Sequence, residues 1–158
     1  MAICSMCGHE ITADNGVCSE CGELEFYFEI APLWIFNGNK PEVKQARIHV
    51  TKNKIVAMPS TNTSQAASAQ FGIIAGIIGG ISAAKKQANM WKYLILSKKL
   101  SDIESLEWPI NGEYKWRLAK VNGDKGVLIS FKDGEKVIFA STKQNNEYMY
   151  RELKMRMQ

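Results

Sequence analysis

At 158 residues, 46% hydrophobic and 23% charged, the chain suffices for one ordinary domain with a core plus a small appendage, and its composition excludes wholesale disorder and fibrous classes. The formal net charge is only +4, but residues 1–39 carry Glu10, Asp14, Glu20, Glu23, Glu25 and Glu29 with no Lys or Arg, so all 20 basic residues lie from Lys40 onward. That asymmetry suggests two regions with different partners.

Residues 1–24 are short of large apolar side chains and need a staple to fold. All four cysteines lie here as Cys4-Ser5-Met6-Cys7-Gly8 and Cys18-Ser19-Glu20-Cys21-Gly22, with ten residues between the pairs. Each C-x-x-C-G puts two thiolates on a tight turn, and two such turns make a tetrahedral four-sulfur cage suited to Zn²⁺. Iron in the same cage and a dithiol redox role are the chemical alternatives. Gly8 separates Cys7 from His9, which departs from the C-x-x-C-H of c-type haem attachment. Four protein ligands leave no open coordination position, so the expected role of Cys4, Cys7, Cys18 and Cys21 is structural. No basic stretch and apolar run open the sequence, and paired cysteines in a reducing compartment suit metal, so the expectation is an intracellular, cytoplasmic protein. The segment's lack of cations argues against nucleic-acid binding by it.

From Phe26 the pattern changes to short apolar runs: Phe26 to Ile30, Leu33 to Phe36, Ala46 to Val50 and Ile55 to Met58. These read as strands, the last two joined at Lys52-Asn53 with Asn53 suited to a left-handed conformation. Further strands are expected at Tyr93 to Leu96, around Ile103 to Trp108, and at Tyr114 to Val121. Asp133-Gly134 marks a hairpin between Gly126 to Phe131 and Lys136 to Ala140. Asn145 to Met157 reads as a helix with Met149, Tyr150, Leu153 and Met157 on one face.

Residues 60–90 interrupt the strands with a glycine-rich helical insertion. Gly72, Gly76 and Gly80 recur every four residues beside Phe71, Ile74, Ile77 and Ile78, a glycine-zipper pattern that lets a second backbone approach. The strongly apolar part is shorter than the roughly 20 residues of a membrane span. Packing against the protein itself or a second copy leads, and membrane insertion is the alternative. Lys85, Lys86 and Lys92 after the insertion, with Lys52 and Lys54 of the hairpin turn, are candidate contacts for an anionic ligand.

His49, with no second ligand nearby, reads as a satisfied structural histidine. Trp34, Trp91, Trp108 and Trp116 read as packing residues. No G-x-S-x-G, P-loop or paired acid motif is present in the sequence, so no catalysis and no small-molecule substrate are inferred.

Ile3 to Ile11 with Val17 to Gly22 resembles the short zinc ribbons of many bacterial and phage proteins, an architecture that implies diverse and often membrane-associated partners. Ala46 to Val56, Leu100 to Leu106, and Val127 to Phe139 followed by the C-terminal helix resemble bacterial pleckstrin-homology or GRAM-like domains. The resemblance implies an α+β chain: a zinc ribbon over 1–24, then over 25–158 a mostly antiparallel β-barrel or sandwich with a C-terminal helix, interrupted at about 60–90. It further implies a non-enzymatic adaptor that binds a protein partner, itself, or the cytoplasmic (inner) membrane face. The alternative is a nucleic-acid-binding regulator using the basic surface of residues 40–158.

Overall fold

The computed structural model describes residues 2–11, 15–60 and 90–157. The class is α+β: nine strands, mostly in antiparallel pairings, and one C-terminal helix among the described residues. The glycine row and its flanks, Phe71, Gly72, Ile74, Gly76, Ile77, Ile78 and Gly80, lie outside the described residues, as do Lys85 and Lys86. The chain divides into two compact units, Met1–Ile30 with Gln45–Lys98, and Ala31–Lys44 with Lys99–Gln158. Strands β1 (Leu24–Asn37) and β2 (Lys40–Thr51) each contribute residues to both.

In the first unit the strand order is β4-β3-β2-β1, with β3 at Lys54–Pro59 and β4 beginning at Leu96. Strands β2 and β3 pair from Ala46↔Pro59 to Val50↔Ile55. Ile48, Val50, Ile55 and Val56 favour this extended pairing because branched side chains fit a pleated surface. Both faces of the hairpin are buried, including all four residues from Ile55 to Met58. Met6 of the cysteine-rich segment and Leu94 pack over Val56 and Met58. The strand expected at Tyr93 starts instead at Leu96, because Met90–Lys92 is a turn of 3₁₀ helix. The Trp91 N–H donates to the Ser5 carbonyl at 2.8 Å, which holds this turn against the cysteine-rich segment.

In the second unit the order is β1-β9-β8-β5, with β5 at Ile103–Glu107, β8 at Val127–Phe131 and β9 at Lys136–Phe139. The Asp133-Gly134 turn forms as expected: Gly134 has φ 90° and Asp133 Oδ1 accepts the Glu135 N–H at 2.9 Å. The single strand expected over Tyr114 to Val121 is instead a hairpin of β6 (Ile110–Trp116) and β7 (Ala119–Gly123), turning at Arg117-Leu118. That turn carries no Gly, Asn or Asp, so the sequence offers no turn signal. Trp34, Ile110, Val121, Leu128 and Ile138 form a core cluster bordered by Phe36, Tyr114 and Trp116.

Helix α1 (Lys143–Arg156) is capped by Thr142, whose side chain accepts the Asn145 N–H. It buries Met149 and Leu153 against β5 and β8. Asn146 is fully buried because its amide donates to the Asp124 and Ser141 carbonyls and accepts the Ser141 N–H, which satisfies the side chain.

Candidate metal centre

The two C-x-x-C-G turns are built alike. In each, the glycine N–H donates to the carbonyl of the first cysteine, Gly8 to Cys4 at 2.9 Å and Gly22 to Cys18 at 2.8 Å. The closing glycines have φ 76° and 77°, a conformation that is costly for residues with a Cβ. A bridge between Ile3 and Glu10 closes the first turn at its base.

These turns bring all four sulfurs within 4.8 Å of one another. Cys4 and Cys21 lie 3.8 Å apart and Cys7 and Cys18 3.5 Å apart. All are free thiols, and the separations far exceed the roughly 2 Å of a disulfide. These two separations are close instead to the edge of a four-sulfur tetrahedron: a metal–sulfur bond of about 2.3 Å implies sulfurs about 3.8 Å apart. Cys4, Cys18 and Cys21 are buried and Cys7 partly so, with Met6 and Ile11 packed around them. The four cysteines singled out from spacing are thus brought together in a cluster able to hold a metal ion.

The electrostatics fit a cation. Burial, reinforced by the neighbouring sulfurs, pushes the Cys21 thiol strongly upward. Burial also raises Cys7, opposed by the His9 N–H. Cys18 feels the same burial, but N–H donors from Cys21 and Glu20 and the Cys7 thiol bring it below its ordinary value. Four thiolates this close would repel one another, and a cation held among them would supply the missing charge.

Residues that the spacing gave no reason to link with the cage hold it to the β2–β3 turn. Thr51 Oγ1 donates to the Cys21 carbonyl and accepts the Lys54 N–H at 3.0 Å. The Asn53 N–H donates to the Cys21 carbonyl at 3.0 Å, and its side-chain amide donates to the Glu20 carbonyl at 3.3 Å. The Lys52 N–H donates to the Glu23 carbonyl at 2.8 Å. Asn53 serves as a double donor and does not take the left-handed conformation expected of it, since Arg117 is the one described non-glycine residue with positive φ. Both closing glycines also meet a close neighbour: a Cβ on Gly22 would lie 2.8 Å from Lys52 Cβ, and one on Gly8 would lie 2.8 Å from the Trp91 indole.

The described candidate cations are placed by the same contacts. Lys52 lies against Gly22, and Lys54 begins β3. Lys92 Nζ stands 5.2 Å over the Trp91 ring that covers Gly8. His49 is buried on β2, edge-on to Tyr27 with centroids 5.6 Å apart, and its Nε2 has no hydrogen-bond partner. The satisfied structural histidine expected here leaves Nε2 without a partner and meets Tyr27 through a ring edge. Arg47 beside it pairs with Glu29 at 3.4 Å. Burial first, then the Arg47 charge, hold His49 down to about 4 against the opposite pull of Glu29.

None of the described helices is long and apolar enough to cross a membrane. The sequence matches no protein-family model and no curated protein.

Proposed function

We propose that the chain is a non-enzymatic binding or adaptor protein whose structural zinc, held by Cys4, Cys7, Cys18 and Cys21, fixes a ribbon against a pleckstrin-homology or GRAM-like β domain. The observation that carries this reading is the closed four-sulfur cage whose carbonyls anchor the β2–β3 turn. With sulfur at every corner of the tetrahedron, the bound metal has no position left for a substrate, and its work is to hold backbone. Zinc suits this task because it imposes no redox chemistry and accepts tetrahedral sulfur. The pleckstrin-homology-like reading draws support from antiparallel strands followed by a single C-terminal helix.

In this reading the β domain and the glycine-rich insertion contact a protein partner, a second copy or the cytoplasmic face of the inner membrane. The test is Gly76→Leu in the full chain, followed by sedimentation, liposome flotation and thermal melting. If Gly72, Gly76 and Gly80 line a contact, a leucine forces the backbones apart, and self-association or flotation falls. On an ordinary exposed helix the same change raises stability by up to about 1 kcal/mol and leaves both assays unchanged, which would overturn the insertion's role.

A further inference from the structure

The tip of hairpin β6–β7 departs from three local rules at once. Lys115↔Lys120 and Trp116↔Ala119 are the last pairs, leaving Arg117-Leu118 as a two-residue turn. Arg117 has φ 55°, a left-handed conformation that non-glycine residues adopt at a cost. Leu118 is fully exposed at the apex, where Gly, Asn or Asp is usual. Lys115 and Lys120 face each other directly across the strands, a like-charge pairing that weakens a hairpin. Several local costs gathered at one place mark a surface kept for function.

The surface is cationic and firmly mounted. Residues 115–120 hold Lys115, Arg117 and Lys120 and no carboxylate. Glu113, on the stem, lies 3.4 Å from Lys115, and its hydrogen bond to Lys115 together with the charges of Lys115 and Lys120 keeps it below the ordinary carboxylate range. One negative charge thus stands against three positive ones. Ile110 and Val121 are buried, and Tyr114 and Trp116 border the same core cluster, so the stem fixes the direction of the tip.

We propose that this tip docks on an anionic lipid bilayer, with Leu118 at the boundary between headgroups and acyl chains and Lys115, Arg117 and Lys120 against lipid phosphates. Cations flanking an exposed apolar side chain match a surface that is charged outside and apolar beneath. Trp116, half-buried beside them, has the amphipathic ring that suits such an interface. A nucleic acid fits less well. Its bases need open aromatic faces for stacking, yet the Arg117 guanidinium lies 4.4 Å over the Trp116 ring, and an apical leucine gains nothing from a phosphate backbone. This inference deepens the reading of the chain as a binding module by naming one partner and the element that meets it.

The experiment is co-sedimentation of the full chain with vesicles of phosphatidylcholine alone and of phosphatidylcholine with about one-third phosphatidylserine, at low and physiological salt. The expected result is binding to the phosphatidylserine vesicles only, weakened by salt, reduced about fivefold by Lys120→Gln or Arg117→Gly, and lost in Leu118→Asp. Leu118 is fully exposed, so its replacement removes no internal packing, and a thermal melt of each variant separates lost binding from lost folding. A parent that ignores anionic vesicles, or variants that bind them as well as the parent does, overturns the proposal. So does a parent that binds a short DNA duplex or RNA hairpin in preference to the vesicles and loses it with the same substitutions. Gly76→Leu separates this proposal from the wider reading: if that substitution lowers self-association while tip variants bind vesicles normally, the tip assignment fails and the binding-module reading stands.

Discussion

Individual side chains carry two loads each in the first unit. Gly22 takes a left-handed conformation that closes the second cysteine turn, and it also lies where any Cβ would strike Lys52. The first role is legible from C-x-x-C-G; the second is not, because Lys52 is 30 positions away in sequence. Thr51 and Asn53 are in the same position: nothing in an Arg-Ile-His-Val-Thr run reveals that its end hydrogen-bonds the carbonyl of a clustered cysteine. His49 gives a pH prediction. Its folded value of about 4, against 6.5 for the free side chain, means it stays neutral while folded. The groups facing it are Arg47, Glu29 and Tyr27. As pH falls below 6.5 the unfolded chain takes up the proton first, so stability is lost progressively down to about pH 4, by roughly 3 kcal/mol at most. Above 6.5 the histidine contributes no pH dependence. His49→Gln should flatten the stability curve between these limits relative to the parent, measured by urea melts across pH. The quantity that counts is the difference between the two proteins, and identical slopes would refute this role for His49.

Among the elements, legibility followed the strength of local signals. The β2–β3 and β8–β9 hairpins and the C-terminal helix stand where alternation, Asp133-Gly134 and the Met149/Leu153 spacing put them. Phe26 to Ile30 and Leu33 to Phe36, read as separate strands, are one continuous β1 despite Pro32. The β6–β7 hairpin is not legible in the sequence because Arg117-Leu118 lacks turn chemistry; the fold bends the chain there by burying Ile110 and Val121 at the base and accepting strain at the tip. Replacing Arg117 with Gly should therefore raise stability by up to about 1 kcal/mol, since it removes a left-handed non-glycine residue. A thermal melt that moves downward would show that the Arg117 stack on Trp116 outweighs the backbone strain.

Across the whole molecule, the cysteine pattern foretold the cage, since four thiols at C-x₂-C spacing have few other uses, while the contacts linking it to the β2–β3 turn came only with the fold. Met6 over Val56 and Met58, Trp91 over Gly8, and the turn residues on the Cys21 carbonyl make the cysteine cluster part of the first unit's packing. Loss of the metal should then loosen β2 and β3 along with the ribbon. The most direct test is native mass spectrometry of the full chain, purified without added metal, beside Cys21→Ser. One zinc ion per parent chain is expected, and none held by the variant. A parent that carries iron, or that carries no metal and has its cysteines paired as disulfides, would contradict it.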